Sequence, residues 1–246
     1  MRTRMAKTAL FVTCIVDIVF PDTGEATLDV LEKAGVRAEF PEGQTCCGQP
    51  AFNSGFQEDA REVARQFVRT FAGYDHIVTP SGSCAAMVRH YYPELFAQDP
   101  LRDQALHVAA HTWELSEFLV DILGISDLGT SLPKPTRAVI HDACHGLRGL
   151  GIGRQPRALL SHVRNLQLET LAGHDQCCGF GGLFAVKMSD ISGAMLHDKI
   201  ANISTAEADI VITSDCSCQM HMNGGLLRRN SPKRVVHLAE VLAGRI

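Results

Sequence analysis

The sequence of 246 residues lacks the long apolar runs and the basic clusters that mark two large classes of protein. No apolar run approaches ~20 residues, the length that a helix needs to cross a bilayer, so we expect no membrane span. Lysines and arginines are scattered, and the net charge of -4 offers no basic surface for nucleic acid. We therefore expect no nucleic acid and no membrane contact through a spanning helix.

Several motifs of common enzymes are also missing. The chain has neither a G-x-G-x-x-G loop nor a phosphate-binding loop with its lysine. Ser81 and Ser83 lie in P-S-G-S-C, which is not a G-x-S-x-G nucleophile elbow. The C-x2-C knuckle of simple zinc sites is absent as well. These absences argue against nucleotide and hydrolase chemistry.

Cysteine, in contrast, is placed very selectively. All nine cysteines belong to two copies of one spacing, separated by about 130 residues. The copies are Cys14, Cys46-Cys47-Gly48 and Cys84, and then Cys144, Cys177-Cys178-Gly179, Cys216 and Cys218. The odd count, and the strain of a disulfide between adjacent residues, favour free or metal-bound thiols. The repeat predicts two metal or cluster sites on a duplicated scaffold.

Strand and helix patterns repeat together with the cysteines. We predict an α/β fold of two pseudo-repeated halves, residues 1–135 and 136–246, each a small, mostly parallel sheet flanked by helices. The boundary is placed near Pro135, in the turn-rich stretch GISDLGTSLPKPTR, and WELSEFLVDILG from Trp113 is predicted to be an amphipathic helix. The cysteines follow strand C-terminal ends, where ligands collect in such folds.

The N-terminal stretch MRTRMAKTALFVTCIVDIVF has the basic start and apolar run of a signal peptide. It also contains Cys14 and Asp17 and has no small-residue cleavage site. We therefore interpret it as leading into the first strand of a cytoplasmic protein.

The vicinal cysteines bear on the kind of metal centre. Side chains of consecutive extended residues point apart, which makes vicinal thiolates awkward ligands for one tetrahedral ion. They suit a polynuclear centre, in which neighbouring thiolates reach different irons. The arrangement resembles the cysteine-rich CCG domain of heterodisulfide reductase-like iron-sulfur proteins, with its Cys, Cys-Cys-Gly and Cys-x-x-Cys groups.

Within that family, five segments are similar to the lactate utilization protein A subfamily, over about Ala9 to Leu242. They are FVTC, FPEGQTCCGQPAFNSG, SGSC, DQCCGFGGLFAVKMSDISG and HLAEVL. The resemblance implies an iron-sulfur electron-transfer subunit, an oxidoreductase component of a system that oxidises L-lactate to pyruvate. It also implies two partner subunits, with L-lactate at one of them.

One departure from the family pattern concerns the closing Cys-x-x-Cys. Met87 and His221 stand where its last cysteine would be, so each half matches four of five ligands. One or two [4Fe-4S] clusters remain compatible with four thiolates per half. The expected ligands are Cys14, Cys46, Cys47 and Cys84 in the first half, and Cys144, Cys177, Cys178 and Cys218 in the second.

Cys216 and His221 are auxiliary candidates. The interval from the vicinal pair favours Cys216, but Ser217-Cys218 matches Ser83-Cys84, so we favour Cys218 as the ligand. His221 could supply a neutral imidazole in place of the missing cysteine. His141, Asp142 and His145, which bracket Cys144, are candidates for proton relay or for hydrogen bonds to sulfur.

Two other functions remain open. The first is thiol or disulfide chemistry at a cluster, as in heterodisulfide reductase relatives, with Cys216 as the exchangeable thiol. The second is a non-catalytic zinc-binding assembly module, in which thiolates only hold the halves together.

Overall fold

The computed structural model describes residues 6–246, so the first five residues of the predicted first half lie outside it. Over this range the strands are β1 (Thr8–Leu10), β2 (Ala38–Glu39), β3 (His76–Thr79), β4 (Thr112–Glu114), β5 (Ser131–His141), β6 (Arg164–Glu169), β7 (Ile210–Thr213) and β8 (Arg234–His237). The α-helices are α1 (Cys14–Val19), α2 (Pro21–Lys33), α3 (Gln49–Asn53), α4 (Gln57–Phe71), α5 (Gly82–Ala86), α6 (Tyr92–Leu95), α7 (Arg102–Ala110), α8 (Leu115–Glu117), α9 (Arg154–Leu160), α10 (Phe184–Lys187), α11 (Ser189–Thr205), α12 (Cys216–Arg228) and α13 (Leu238–Ala243). Three π-helical turns cover Met87–Tyr91, Phe118–Ile122 and His145–Gly149.

The strands form two four-stranded sheets with the same topology. Their orders are β2-β1-β3-β4 and β6-β5-β7-β8, and every pairing is parallel. The register repeats too, since Thr8 faces His76 in the first sheet and Ala138 faces Ile210 in the second. The prediction of an α/β fold with two pseudo-repeated halves is confirmed.

The two halves share one apolar core. Val78 of β3 and Leu31 of α2 belong to the same buried cluster as Ile140 of β5 and Ile212 of β7. Burial of this continuous surface stabilises both halves together, at roughly 25 cal/mol per Å² of apolar area. The halves therefore form a single body, and the sheets are held in a fixed relation to each other.

An antiparallel bridge joins equivalent positions of the two halves. It pairs Ser81 with Asp215, which follow β3 and β7 respectively. The C-terminal ends of the central strands therefore meet at the interface of the halves, and the segments that carry the cysteines start there.

Two details differ from the sequence prediction. Trp113 is not helical: it lies in β4 opposite Val78, and the helix begins at Leu115. Pairing with the edge of the first sheet outweighs the helical periodicity of this segment. The predicted linker is also partly strand, since β5 starts at Ser131 and contains Pro135, next to a register shift between Ser131 and Thr136 that accommodates the proline.

Among residues 6–246, no helix combines the length and the apolar character needed to span a bilayer.

Glu114, at the end of β4, is fully buried. Its Oε2 atom accepts hydrogen bonds from the backbone N–H groups of Ser116 (2.8 Å) and Glu117 (3.2 Å) and so caps α8. Burial raises the pKa of this carboxyl group from 4.5 to about 7. Between these values the folded state binds more protons than the unfolded state, so the free energy of unfolding falls as pH rises.

The change Glu114→Gln should remove this pH dependence. At about 1.4 kcal/mol per pKa unit, wild type should lose ~3 kcal/mol relative to the variant between pH 4.5 and 8. Urea unfolding of both proteins across this range measures the difference. Glu207→Gln, at a side chain that is 88% exposed, is the matched control and should follow wild type. Parallel profiles for Glu114→Gln and wild type would refute the prediction.

Candidate metal centre

The structure gathers the four thiols of the first half from three separate segments. Cys14 begins α1 just after β1, Cys46 and Cys47 precede α3, and Cys84 lies in α5 after β3. The Sγ atoms of Cys14 and Cys46 are 3.5 Å apart, and those of Cys47 and Cys84 are also 3.5 Å apart. We call these four residues the first quartet.

The second half gathers its thiols in the same way. The Sγ atoms of Cys144 and Cys177 lie 3.9 Å apart, and those of Cys178 and Cys218 lie 3.4 Å apart. The Nδ1 atom of His145 is 3.8 Å from the Sγ atom of Cys144. These four cysteines form the second quartet, and the structure thus brings together all eight thiols expected from the sequence.

The glycine after each vicinal pair shapes the site. Gly48 and Gly179 have φ values of 84° and 91°, a left-handed backbone that favours glycine. Their backbone N–H groups donate to the Sγ atoms of Cys46 and Cys177, each at 3.4 Å. These N–H groups favour negative charge on the first sulfur of each pair.

The close packing of the thiols lowers the pKa of some of them and raises the pKa of others. The hydrogen bond from Cys14 lowers the pKa of Cys46 to about 3, and that from Cys144 lowers the pKa of Cys177 to about 2. The same hydrogen bonds raise the pKa values of Cys14 and Cys144. Each quartet by itself therefore retains protonated thiols, whereas a bound cationic centre would allow all of them to ionise.

Both quartets open into one cavity of about 160 Å³ between the halves. The cysteines that line it are Cys14, Cys46, Cys47, Cys84, Cys144, Cys177, Cys178, Cys216 and Cys218. Eight soft sulfur donors in two groups of four suit iron-sulfur clusters or zinc, and do not suit ions that prefer oxygen. The donor set therefore fits the metal centres that the sequence suggests.

Asp215 connects the two quartets. Its carboxylate is 2% exposed and accepts hydrogen bonds from the backbone N–H groups of Ser83 (2.9 Å) and Ser217 (3.1 Å). One side chain thus holds the first turns of α5 and α12, the helices that carry Cys84 and Cys218. Sequence reasoning missed this role, because the contact joins residues in different halves.

The structure separates the two candidates in α12. Cys218 belongs to the second quartet, whereas Cys216 packs against Leu10, Val12 and Val16 of the first half. Cys216 is 1% exposed, and burial raises the pKa of its thiol. Although Cys216 borders the cavity, it packs in this apolar cluster and not against the thiols of the second quartet, so Cys218 remains our candidate ligand.

The His221 imidazole contacts Ser192 and Phe180 and not the thiols. Its Nε2 atom lies 3.5 Å from the Oγ atom of Ser192, and its ring centroid lies 5.8 Å from that of Phe180. Burial lowers the pKa of this imidazole. His221 is not among the residues that line the cavity.

His141 is a second imidazole, besides His145, that approaches the second quartet. One of its ring nitrogens and the Sγ atoms of Cys178 and Cys218 all lie within 4.8 Å of one another. The hydrogen bond from Cys178, followed by the effect of His141, lowers the pKa of Cys218 to about 7 despite burial. The sequence had marked His141 as a candidate for proton relay or for a hydrogen bond to sulfur beside Cys144.

Asp142 fixes the loops that carry Cys144 and Cys177. Its carboxylate accepts two hydrogen bonds of 2.8 Å from Arg157 and one of 2.7 Å from His174. Burial opposes ionisation, but the Arg157 guanidinium and His174 together hold the pKa of Asp142 below its ordinary value. The group therefore adds stability above its unfolded pKa, and this stability is lost as pH falls.

We expect Asp142→Asn to lower the free energy of unfolding by about 1–2 kcal/mol at pH 7, because Arg157 and His174 lose their charged partner. Both partners are about two-fifths exposed, which keeps the loss below that of a fully buried pair. Urea unfolding measures it, and the difference should shrink below about pH 4. Asp103→Asn, at a side chain that is 97% exposed, is the control. Equal losses in the two variants would contradict the prediction.

Comparison with known proteins identifies the family. The cysteine-rich domain model CCG matches residues 8–89 and 138–223. Lactate utilization protein A 2 of Bacillus cereus (strain 03BB102) is 48% identical over 238 residues, 96% of this chain and 98% of its own length. Lactate utilization protein A of Geobacillus kaustophilus is 48% identical over 240 residues, 97% of this chain and 99% of its own length. Among solved structures, glutamate racemase RacE1 from Bacillus anthracis covers 98% of this chain and 80% of its own, with 8% identity and a TM-score of 0.37, too low to bear on function. The chain therefore belongs to the cysteine-rich CCG domain proteins and, within them, to the lactate utilization protein A family.

Proposed function

We propose that this chain is the iron-sulfur electron-transfer subunit of a multi-protein system that oxidises L-lactate to pyruvate. The observation that carries the proposal is the pair of thiol quartets at one cavity between the halves. The names of relatives at 48% identity support a role in lactate utilization. The finer assignment, to electron transfer, rests on the all-sulfur donor set.

Each quartet would hold one centre. When bound, a [4Fe-4S] cluster in each half would take up one electron, so the two clusters together match the two electrons that lactate loses on becoming pyruvate. The residues of the chain prepare the sites for this. Cys46 and Cys177 favour the thiolate form, Gly48 donates an N–H group to sulfur, and Asp215 sets the first turns of α5 and α12.

Lactate itself is assigned to one of two partner subunits of a cytoplasmic complex. A site for a small carboxylate usually offers an arginine or lysine that pairs with it. Among the described residues, those lining the cavity include neither. The lining instead consists of thiols, hydroxyls, amides, glycines, a histidine, a carboxylate and apolar groups, so thiolate ligation is the chemistry that it offers.

A zinc module is the second candidate, and one observation favours it. Two pairs of Sγ atoms within each quartet lie 3.4–3.9 Å apart, although among residues 6–246 no three thiols lie mutually within 4.8 Å. Four thiolates around one tetrahedral zinc ion, with bonds of about 2.3 Å, would all be separated by about 3.8 Å, a spacing that the pairs match and the complete quartets do not. Thiol exchange through Cys216 is less well supported, because this side chain is buried to 1% exposure and its pKa is raised.

Metal analysis of anaerobically purified protein tests the proposal. We expect iron and acid-labile sulfide in equal amounts and little zinc, followed by lactate-dependent dye reduction when the partner subunits are present. Colourless protein with about one zinc ion per half would overturn the cluster assignment and favour the second candidate. A complex that contains clusters but oxidises a different hydroxy acid would overturn the substrate alone.

A further inference from the structure

His141, at the end of β5, has an environment that is unusual for a histidine. The side chain is 1% exposed. Neither ring nitrogen makes a hydrogen bond of good geometry among residues 6–246, although one of them lies close enough to the Sγ atoms of Cys178 and Cys218 to help lower the pKa of the Cys218 thiol. A buried polar atom without a partner costs roughly 1–3 kcal/mol. Coordination to a metal centre between these sulfurs would satisfy one of the two nitrogens.

The first half has an apolar side chain in the same position. The shared register of β1 with β3 and of β5 with β7 makes Phe11 the equivalent of His141. Phe11 is fully buried and packs edge-on against Phe67 of α4, with ring centroids 4.7 Å apart. The first quartet therefore has an aromatic pair behind it, with Phe11 at the position that His141 occupies in the second half.

The second member of this pair is replaced as well. A Cβ atom on Gly48 would meet the carbonyl oxygen of Ala60 in α4, and a Cβ atom on Gly179 would meet that of Ser192 in α11. Ala60 and Ser192 therefore occupy equivalent positions in the two halves. Lys199 follows Ser192 by seven residues, as Phe67 follows Ala60, so Lys199 occupies in α11 the position that Phe67 occupies in α4. Its side chain is fully buried, and its Nζ atom donates a hydrogen bond of 2.5 Å to the carbonyl oxygen of Gly173. A histidine and a lysine thus replace the aromatic pair behind the second quartet.

We propose that His141 is a nitrogen ligand of the second-half centre, so that the two halves hold chemically unlike centres. This inference rests on the proposed function, that is, on iron-sulfur centres in both quartets. The first centre has thiolate ligands in an apolar setting. The second has an added imidazole and the buried side chain of Lys199 nearby; burial lowers the pKa of this amine, and the negative charge of the thiolates favours its protonated form, which stabilises the electron that the reduced centre carries. The second centre is therefore the more oxidising one, and an electron passes from the reduced first centre to the oxidised second centre.

The test uses the anaerobically purified full chain with 15N-labelled histidine, reduced and studied by pulsed electron paramagnetic resonance. Wild type should give a ligand-strength 15N coupling on one of its two cluster signals. His141→Phe, which places the first-half residue in the second half, should abolish that coupling and lower the midpoint potential of the same signal. His141→Gln, closer in volume to histidine, should do the same if the phenyl ring disturbs folding. The signal of the first-half centre is the internal control.

His221→Phe is the matched control, because this imidazole belongs to the same half but contacts Ser192 and Phe180. It should keep the coupling. Cluster signals without a ligand-strength coupling in wild type, or a coupling that survives both changes at His141, overturn this inference and leave the proposed function intact. Absence of iron and sulfide overturns both.

Discussion

Replacing Cys218 with serine is expected to remove about half of the bound iron and acid-labile sulfide, because the second centre loses a thiolate while the first remains. The Sγ atom of Cys218 lies 3.4 Å from that of Cys178 in a buried setting. Binding of a metal centre contributes to folding, so the midpoint of thermal unfolding should also fall. Metal analysis and anaerobic calorimetry measure the two effects.

Cys216→Ser is the matched control, since both residues lie in the first turn of α12 and both are buried. Residues two apart on a helix do not face the same way. Cys216 accordingly contacts Val16 and its neighbours in the first half, and its loss should leave iron and sulfide unchanged. Iron that falls with Cys216→Ser and stays with Cys218→Ser would reverse the assignment of the ligand.

The repeated cysteines and the strand ends could be predicted from the sequence because both depend on local patterns. Short apolar runs mark β1, β3, β5 and β7, and parallel strands present their C-terminal ends at one edge. The grouping of Cys14 with Cys84 follows from this rule. The choice between Cys216 and Cys218 does not follow from this rule, because the interval from the vicinal cysteines and the local Ser-Cys motif favour different residues. Only the directions in which the two side chains leave α12 distinguish them.

Other features depend on contacts between distant residues, and local patterns predicted them poorly. Trp113 fits a helical periodicity, yet pairing with Val78 places it in a strand. The prolines suggested a linker, yet β5 runs through Pro135 beside a register shift. Likewise, the search for a missing ligand along α12 led to His221, whereas the imidazole near Cys178 and Cys218, that of His141, comes from the end of β5.

Gly179→Ala should have the second large effect. A left-handed backbone costs a residue with a Cβ atom roughly 1–2 kcal/mol, and Gly179 has a φ value of 91°. The new Cβ atom would also lie 2.8 Å from the carbonyl oxygen of Ser192, which a loop or α11 must relieve by moving. Together we expect the free energy of unfolding to fall by about 3 kcal/mol. The iron content of the second centre should fall as well, because the backbone N–H group of residue 179 would no longer point at the Sγ atom of Cys177.

Gly193→Ala, one residue after Ser192 in α11, is the control that separates strain from a general effect of adding a methyl group. A Cβ atom at Gly193 meets nothing within 4 Å, and the backbone there is helical. Alanine should therefore raise the free energy of unfolding by about 0.5–1 kcal/mol, through its higher helix propensity, and leave the iron content unchanged. Chemical unfolding and metal analysis of the two variants side by side measure both effects. A Gly179→Ala protein as stable and as iron-rich as Gly193→Ala would mean that the turn after the vicinal cysteines has no strict need for glycine.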